Sequence, residues 1–165
     1  MKKIVCLAII ILSSLSTFAQ EEVTTYYFIR HAEKVRTDKA NRNPDLNIKG
    51  LKRAKKWSEV FTNVKFNAVY STDYNRTKQT AKPTADANGL PVLLYNPRKM
   101  YDEAFQANTK GKTVLVVGHS NTTPFFANMV IGNAVYKQID DSNNSNLYIV
   151  TVTKDKKTHS LLKID

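Results

Sequence analysis

Beyond residue 20 the chain alternates short apolar runs with amphipathic stretches of helical period, and that alternation sets the expected order of elements. Thr24 to Ile29 is apolar, β-branched and aromatic, and it stops at Arg30-His31; such a run reads as a buried strand. Ala32 to Asn47 is polar and carries the turn signal Asn43-Pro44-Asp45. It is expected to form a long loop over the strand ends, a candidate substrate-facing flap. Asn47 then caps a helix over Ile48–Phe61, whose apolar stripe is Ile48, Leu51, Ala54, Trp57 and Phe61. Phe66–Ser71 is a second strand. Tyr74–Asn88 is a second helix, capped by Ser71 or Asp73, with a kink or fresh start at Pro83 and a stop at Asn88-Gly89. Val92–Tyr95 is a short strand broken by Asn96-Pro97, and Arg98–Asn108 is a short, weakly periodic helix.

Lys112–Gly118 is apolar without alternation, as a strand buried on both faces should be. Ser120 or Asn121 caps a helix over Thr123–Ile131, with Pro124 near its first turn and Gly132 at its end. Asn146–Thr153 and Thr158–Ile164 read as a hairpin joined across Lys154–Lys157. Strand and helix in alternation, then a hairpin, predict an α/β fold. The expected form is a three-layer α/β/α sandwich with a mostly parallel central sheet and an antiparallel edge hairpin.

Length and composition narrow this only a little. One domain is the expectation for 165 residues. An apolar fraction of 42% and a charged fraction of 24% suit a globular chain rather than a disordered one. The formal net charge of +11 changes the picture more. A solvated lysine-rich surface accounts for much of it, with a local cluster at Lys49, Lys52, Arg53, Lys55 and Lys56. No aromatic-interleaved basic stripe is present, so nucleic acid is not the expected partner. Steering of a small phosphorylated molecule is.

The first nineteen residues read as a signal peptide: Lys2-Lys3, an apolar run from Ile4 to Leu12, then small residues at Thr17 and Ala19. The run is too short for a comfortable membrane span, although an uncleaved anchor is the competing reading. The domain would then be residues 20–165, exported to a bacterial periplasm or beyond, with no membrane attachment after cleavage. Cys6 is the only cysteine and lies in this leader, so no disulfide framework is expected.

Chemistry concentrates at three strand ends. Arg30-His31 follows the first strand, Arg76 lies shortly after the second, and His119-Ser120 follows the apolar strand ending at Gly118. Open α/β sheets place ligands outside the carboxyl ends of their strands. His31 can act as a nucleophile if a backbone carbonyl holds its Nδ1–H and leaves Nε2 free. Arg30 and Arg76 offer forked donors to phosphate oxygens, and a protonated His119 offers another. Backbone amides near Ser120 and Asn121, at a helix N-terminus, add a dipole for substrate binding. Each residue has an ordinary structural alternative, as a surface arginine or a core histidine.

Phe28-Ile-Arg-His-Ala-Glu33 resembles the Arg-His-Gly or Arg-His-Ala signature of the histidine phosphatase superfamily, in its phosphoglycerate-mutase-like branch. Ser71, Arg76, Thr80 and Ala81 resemble that family's Ser-x5-Arg-x3-Thr-Ala block, and Val117-Gly-His-Ser120 its second-histidine block. Asp45-Leu46, Gly50 and Ala54 resemble the segment before its first long helix. The small phosphohistidine-phosphatase-like members are the nearest in kind. The resemblance implies His31 as nucleophile, Arg30, Arg76 and His119 as the rest of a phosphate pocket, no cofactor and no metal.

The general acid is where the chain departs from the pattern. Family members often carry an acidic residue just after the third strand, but here Tyr95-Asn96-Pro97 stands there, and Asn96 cannot donate a proton in that role. Glu103 is the favoured candidate, with Asp102 and Glu33 as alternatives. The expected function is an exported hydrolase of phosphomonoesters. The alternative is a catalytically weak or inactive phosphate- or polyanion-binding module. A mutase is a third reading, disfavoured by the short chain. Oligomeric state is not legible.

Overall fold

A central six-stranded sheet carries the molecule, and its strand order decides which chain ends meet. The computed structural model describes residues 22–165; the expected leader, residues 1–19, and Cys6 within it lie outside the described residues. The elements are β1 (Thr24–Arg30), α1 (Ile48–Val60), β2 (Ala68–Ser71), α2 (Asn75–Ala87), β3 (Val92–Leu94), α3 (Glu103–Thr109), β4 (Thr113–Gly118), α4 (Thr122–Ile131), β5 (Asn146–Val152) and β6 (Lys157–Lys163). The order across the sheet is β3-β2-β4-β1-β5-β6. The first four are parallel, while β5 runs antiparallel to β1 and β6 antiparallel to β5. The expected mixed α/β architecture is what forms.

Side-chain alternation along the buried strands divides the core in two. Tyr26, Phe28, Val114 and Val116 face one side, where they meet Phe105 of α3 and Phe126, Ala127 and Val130 of α4. Ile29, Leu115 and Val117 face the other, against Trp57 and Phe61 and against Ala81 and Ala85 of α2. Strand β4 is therefore buried on both faces, as its unbroken apolar run requires.

Several details differ from the sequence reading. The stripe expected on α1 is only half right: Ala54, Trp57 and Phe61 are buried, but Ile48 and Leu51 are 75% and 54% exposed. The first turn is turned by Gly50, which lies so close to the Glu33 carbonyl that a Cβ there would collide with it. Close backbone approach, not hydrophobic period, sets the docking face at that end. Pro83 lies inside one continuous α2 rather than starting a new helix.

Neither Ser71 nor Asp73 caps α2. Asp73 pairs with Lys78 at 2.7 Å, and the Asn75 amide instead donates to the Asn43 side chain at 2.8 Å. Leu46 N donates to the Gln79 side chain at 2.7 Å. The 32–47 loop is thus tied to α2 at several points, more brace than flap. The expected helix over Arg98–Asn108 shortens to α3, because Asp102 caps it by accepting from Phe105 N at 2.9 Å.

Candidate active site

Register brings the two histidines together. Arg30 of β1 stands opposite Gly118 of β4 in a parallel pair, so the next residues of both strands, His31 and His119, emerge side by side. The His31 amide donates to the Gly118 carbonyl at 2.9 Å, and the two imidazole centroids are 5.4 Å apart. Both rings line a cleft of about 370 Å³ together with Arg30, Arg76, Ser120 and Asn121. Lys34, Tyr74, Pro97, Thr122 and Asp141 complete it.

His31 is 4% exposed. Its Nδ1–H donates to the Ala32 carbonyl at 2.7 Å, which leaves Nε2 as the free lone pair. Two bonds fix the backbone beneath it. Asn144 Nδ2 donates to the His31 carbonyl at 2.8 Å, and the Ala32 amide donates to Thr80 Oγ1 at 2.9 Å. Thr80 Oγ1 in turn donates to the Arg76 carbonyl at 2.7 Å, so one hydroxyl ties the histidine's backbone to the helix turn that carries Arg76.

The tautomer of His119 follows from its partners. Thr77 Oγ1 donates to backbone carbonyls, and Thr72 Oγ1 donates to Thr77 Oγ1 at 3.0 Å. The Thr72 hydroxyl is left as an acceptor, so His119 Nε2–H donates to it at 2.9 Å. The remaining nitrogen, Nδ1, then accepts from Arg76 Nη2 at 3.5 Å. His119 is neutral in this arrangement. Burial, then the charges of Arg76, Arg30 and Lys34, push its pKa down to about 4. Burial is also the main cause for His31, aided by His119, Arg30 and Arg76, and it outweighs the bond to Ala32; the result is about 3.

The two arginines are held differently. Arg76 is 9% exposed, lies 4.4 Å from the Tyr74 ring centroid and touches the Arg42 carbonyl through Nη1 at 3.4 Å. Its Nε, although buried, makes no hydrogen bond. Arg30, 2% exposed, is almost fully engaged by the 140–143 segment. Its Nη1 donates to the carbonyls of Asp140, Asp141 and Asn143, and its Nη2 meets Asp141 Oδ1 at 2.6 Å. Asp141 also meets Arg36 at 2.9 Å. The hydrogen bond and charge of Arg30 hold its carboxyl below the usual carboxylate range, with Arg36 adding to the effect.

Asn121 precedes α4 without a side-chain cap; Thr122 Oγ1 instead accepts from the His119 amide at 2.9 Å. Gly118 makes this close approach possible. A Cβ there would come within 2.8 Å of the Thr122 and Thr123 hydroxyls and 2.9 Å of Tyr95. The amides of Ser120 and Asn121 make no backbone hydrogen bond and lie at the N-terminal end of α4.

None of the three acids considered from the sequence reaches the cleft. Glu103 is exposed on the first turn of α3, since the 96–101 turns carry the chain past the site. Asp102 caps that helix, and Glu33 turns away to Arg53 at 3.0 Å and Lys49 at 3.6 Å. Among the described residues Asp141 is the carboxylate that lines the cleft, and nothing local in the sequence marked it. Lys34 and Thr72 adjoin recognised motifs, and neighbourhood was the available signal for them. Among the described residues no group of three or more His, Cys, Asp or Glu is arranged to hold a metal ion.

Residues 26–96 match the family model of the histidine phosphatase superfamily (branch 1). The match ends before His119. No curated protein sequence matches the chain. Solved structures share its fold at low identity. A SixA from Agrobacterium tumefaciens, described as a phosphohistidine phosphatase, is 18% identical with a TM-score of 0.63, over 86% of this chain and 99% of that one. Protein histidine phosphatase SixA in complex with tungstate is 14% identical, with a TM-score of 0.66 over 84% of this chain and 96% of that one. Phosphoglycerate mutase from Bacillus anthracis is 14% identical, with a TM-score of 0.64 over 86% and 93%.

Proposed function

We propose that this chain belongs to the histidine phosphatase superfamily, whose family model its residues 26–96 match, and that it hydrolyses phosphomonoesters through a covalent phosphohistidine on His31. One observation carries the reading: a buried imidazole with Nδ1–H committed to the Ala32 carbonyl stands in the same cleft as His119, Arg30 and Arg76. Nε2 attacks phosphorus, the bond to the leaving oxygen breaks, and that oxygen departs with the electron pair. Water then attacks the phosphorus, the P–N bond breaks, and His31 returns neutral as inorganic phosphate leaves.

Transition-state charge spreads over the equatorial oxygens, where fixed cations stabilise it most. Arg76 supplies unengaged N–H groups, and Lys34 adds charge at the rim. A bound dianion also favours the imidazolium form of His119, converting Nδ1 from an acceptor toward Arg76 into a donor toward a phosphate oxygen. Residues 1–19 support export as part of the same proposal, and N-terminal sequencing of the protein secreted by a bacterial host tests it.

Turnover of a chromogenic aryl phosphate by the wild type and by His31→Ala tests the chemistry. Activity is expected to fall by at least about a thousandfold, because the nucleophile is lost outright. Equal turnover would remove His31 from that role. The second reading, a phosphate-binding module without turnover, draws on Asp141: the cleft's carboxylate is ionised and cannot protonate a leaving group. Calorimetry showing phosphate binding, with no product after hours, would select it.

A further inference from the structure

Residues 139–144 strap three parts of the cleft together. The Ile139 amide donates to the Ser120 carbonyl at 2.8 Å, and Asn144 Nδ2 donates to the His31 carbonyl at 2.8 Å. Between these ties, the carbonyls of Asp140, Asp141 and Asn143 accept from Arg30 Nη1 at 2.9, 3.1 and 2.9 Å. Two N–H groups on Nη1 thus share three acceptors, so backbone carbonyls alone fix where the guanidinium lies. The Asp140 carboxylate turns back to the Ser142 amide at 2.8 Å and closes the strap's own turn.

The Asp141 carboxylate does something different. Its Oδ1 meets Arg30 Nη2 at 2.6 Å, and its Oδ2 meets Arg36 Nη2 at 2.9 Å. The Arg30 side chain is 2% exposed and that of Asp141 68%, so an exposed anion reaches in to a buried cation that the strap already holds. What the carboxylate adds is charge. A buried cation with no anion beside it is costly, and in the empty cleft Asp141 is the anion that Arg30 has. A phosphate would serve the same need. Arg30 Nε and Arg76 Nε, both buried, have no hydrogen-bond partner among the described residues, so donors for an oxyanion remain in the two arginines that line the cleft.

We infer that Asp141 is an internal competitor for Arg30, which weakens the cleft's hold on a free oxyanion and so lets bound phosphate go. An entering phosphate takes over as the counter-ion of Arg30, and Asp141 gives up Nη2 and stays on the exposed Arg36. When phosphate leaves, the carboxylate returns and Arg30 is never left unpaired. The inference rests on the reading of the cleft as a phosphate site and adds the residue that sets how tightly that site holds its product.

Calorimetric titration with inorganic phosphate tests this on the wild type, Asp141→Asn, Asp141→Ala and Asp73→Asn. The first substitution keeps an oxygen for Arg30 and loses the charge; the second loses both. Each is expected to bind phosphate about tenfold more tightly, the size of effect that follows from removing one like charge from the wall of a partly solvated cleft. Asp73 adjoins cleft-lining Tyr74 but pairs with Lys78. Asp73→Asn removes the same charge without touching Arg30, and solvent screening should keep its effect below about twofold. A gain as large in Asp73→Asn, or no gain in either Asp141 variant, overturns the inference; weaker binding would make the carboxylate a support for Arg30 instead. During turnover of a chromogenic aryl phosphate, inhibition by inorganic phosphate should strengthen by the same factor in both Asp141 variants. Tighter phosphate binding by variants of a protein that turns nothing over would overturn the phosphatase reading and keep the competitor. Turnover with no gain in phosphate affinity would do the reverse.

Discussion

His31 and His119 are neutral in the cleft, and this fixes how the site responds to acid. Each imidazole titrates near 6.5 when solvated, but near 3 and 4 respectively in the folded protein. Between those values the unfolded chain holds more protons than the folded one, so stability falls as pH drops from about 7 toward 4. A bound oxyanion opposes this by favouring the His119 cation. Sulfate stays dianionic over that range, so any proton taken up on binding is the protein's. Sulfate affinity is therefore expected to rise between pH 7 and pH 5, and the urea midpoint lost to acid should be partly restored by sulfate. His119→Gln should flatten the pH dependence of sulfate binding. Calorimetry at both pH values checks it, and a wild-type affinity independent of pH would contradict it.

At the scale of elements, one hydroxyl holds two parts of the candidate site in register. Thr80 Oγ1 accepts from Ala32 N and donates to the Arg76 carbonyl, so β1 and α2 are joined just where His31 and Arg76 leave them. Thr80 is wholly buried, and Thr80→Val keeps its shape while stranding the Ala32 amide. The expected cost is about 1–3 kcal/mol of stability by urea denaturation. A larger loss in kcat than in phosphate affinity should accompany it, because the backbone of His31, the proposed nucleophile, loses its anchor while the cations remain. Thr80→Ser should recover both. A kcat left at the wild-type value in Thr80→Val would show that the tie is structural only.

For the whole molecule, the parallel pairing of β1 with β4 puts two strand ends on one edge, and charge then serves that edge. The chain carries a formal net charge of +11, and Arg30, Lys34 and Arg76 place positive charge at the cleft. A dianionic substrate should be drawn in, and salt should weaken that attraction. Raising sodium chloride from about 50 to 500 mM is expected to raise KM for an aryl phosphate several-fold with little change in kcat. A KM that does not move with salt would place the surplus charge in general surface solvation. The edges of the sheet are β3 and β6, and β6 carries Lys157 and Lys163 on an exposed strand, a pattern that discourages edge-to-edge pairing.

Sequence alone determined the elements whose signals are local and strong. The apolar run of β4, the β1 run ending at Arg30-His31, the Gly132 stop and the terminal hairpin all follow from period and turn chemistry within a few residues. The convergence of Arg30, His31, Arg76 and His119 was legible too, because alternating strands and helices leave one edge for their ends. Tertiary structure decided whatever depends on contacts between distant segments. Ile48 and Leu51 keep helical period yet face solvent, since Gly50 and the Glu33 backbone dictate how α1 docks. Asn43 caps α2 from a loop thirty residues upstream, which no local pattern announces. Glu103 stands close to the third strand in sequence but is carried past the cleft, while Asp141 arrives there because Arg30 draws the 140–143 segment in. Distance along the chain says little about distance in space once backbone carbonyls and buried cations choose their partners.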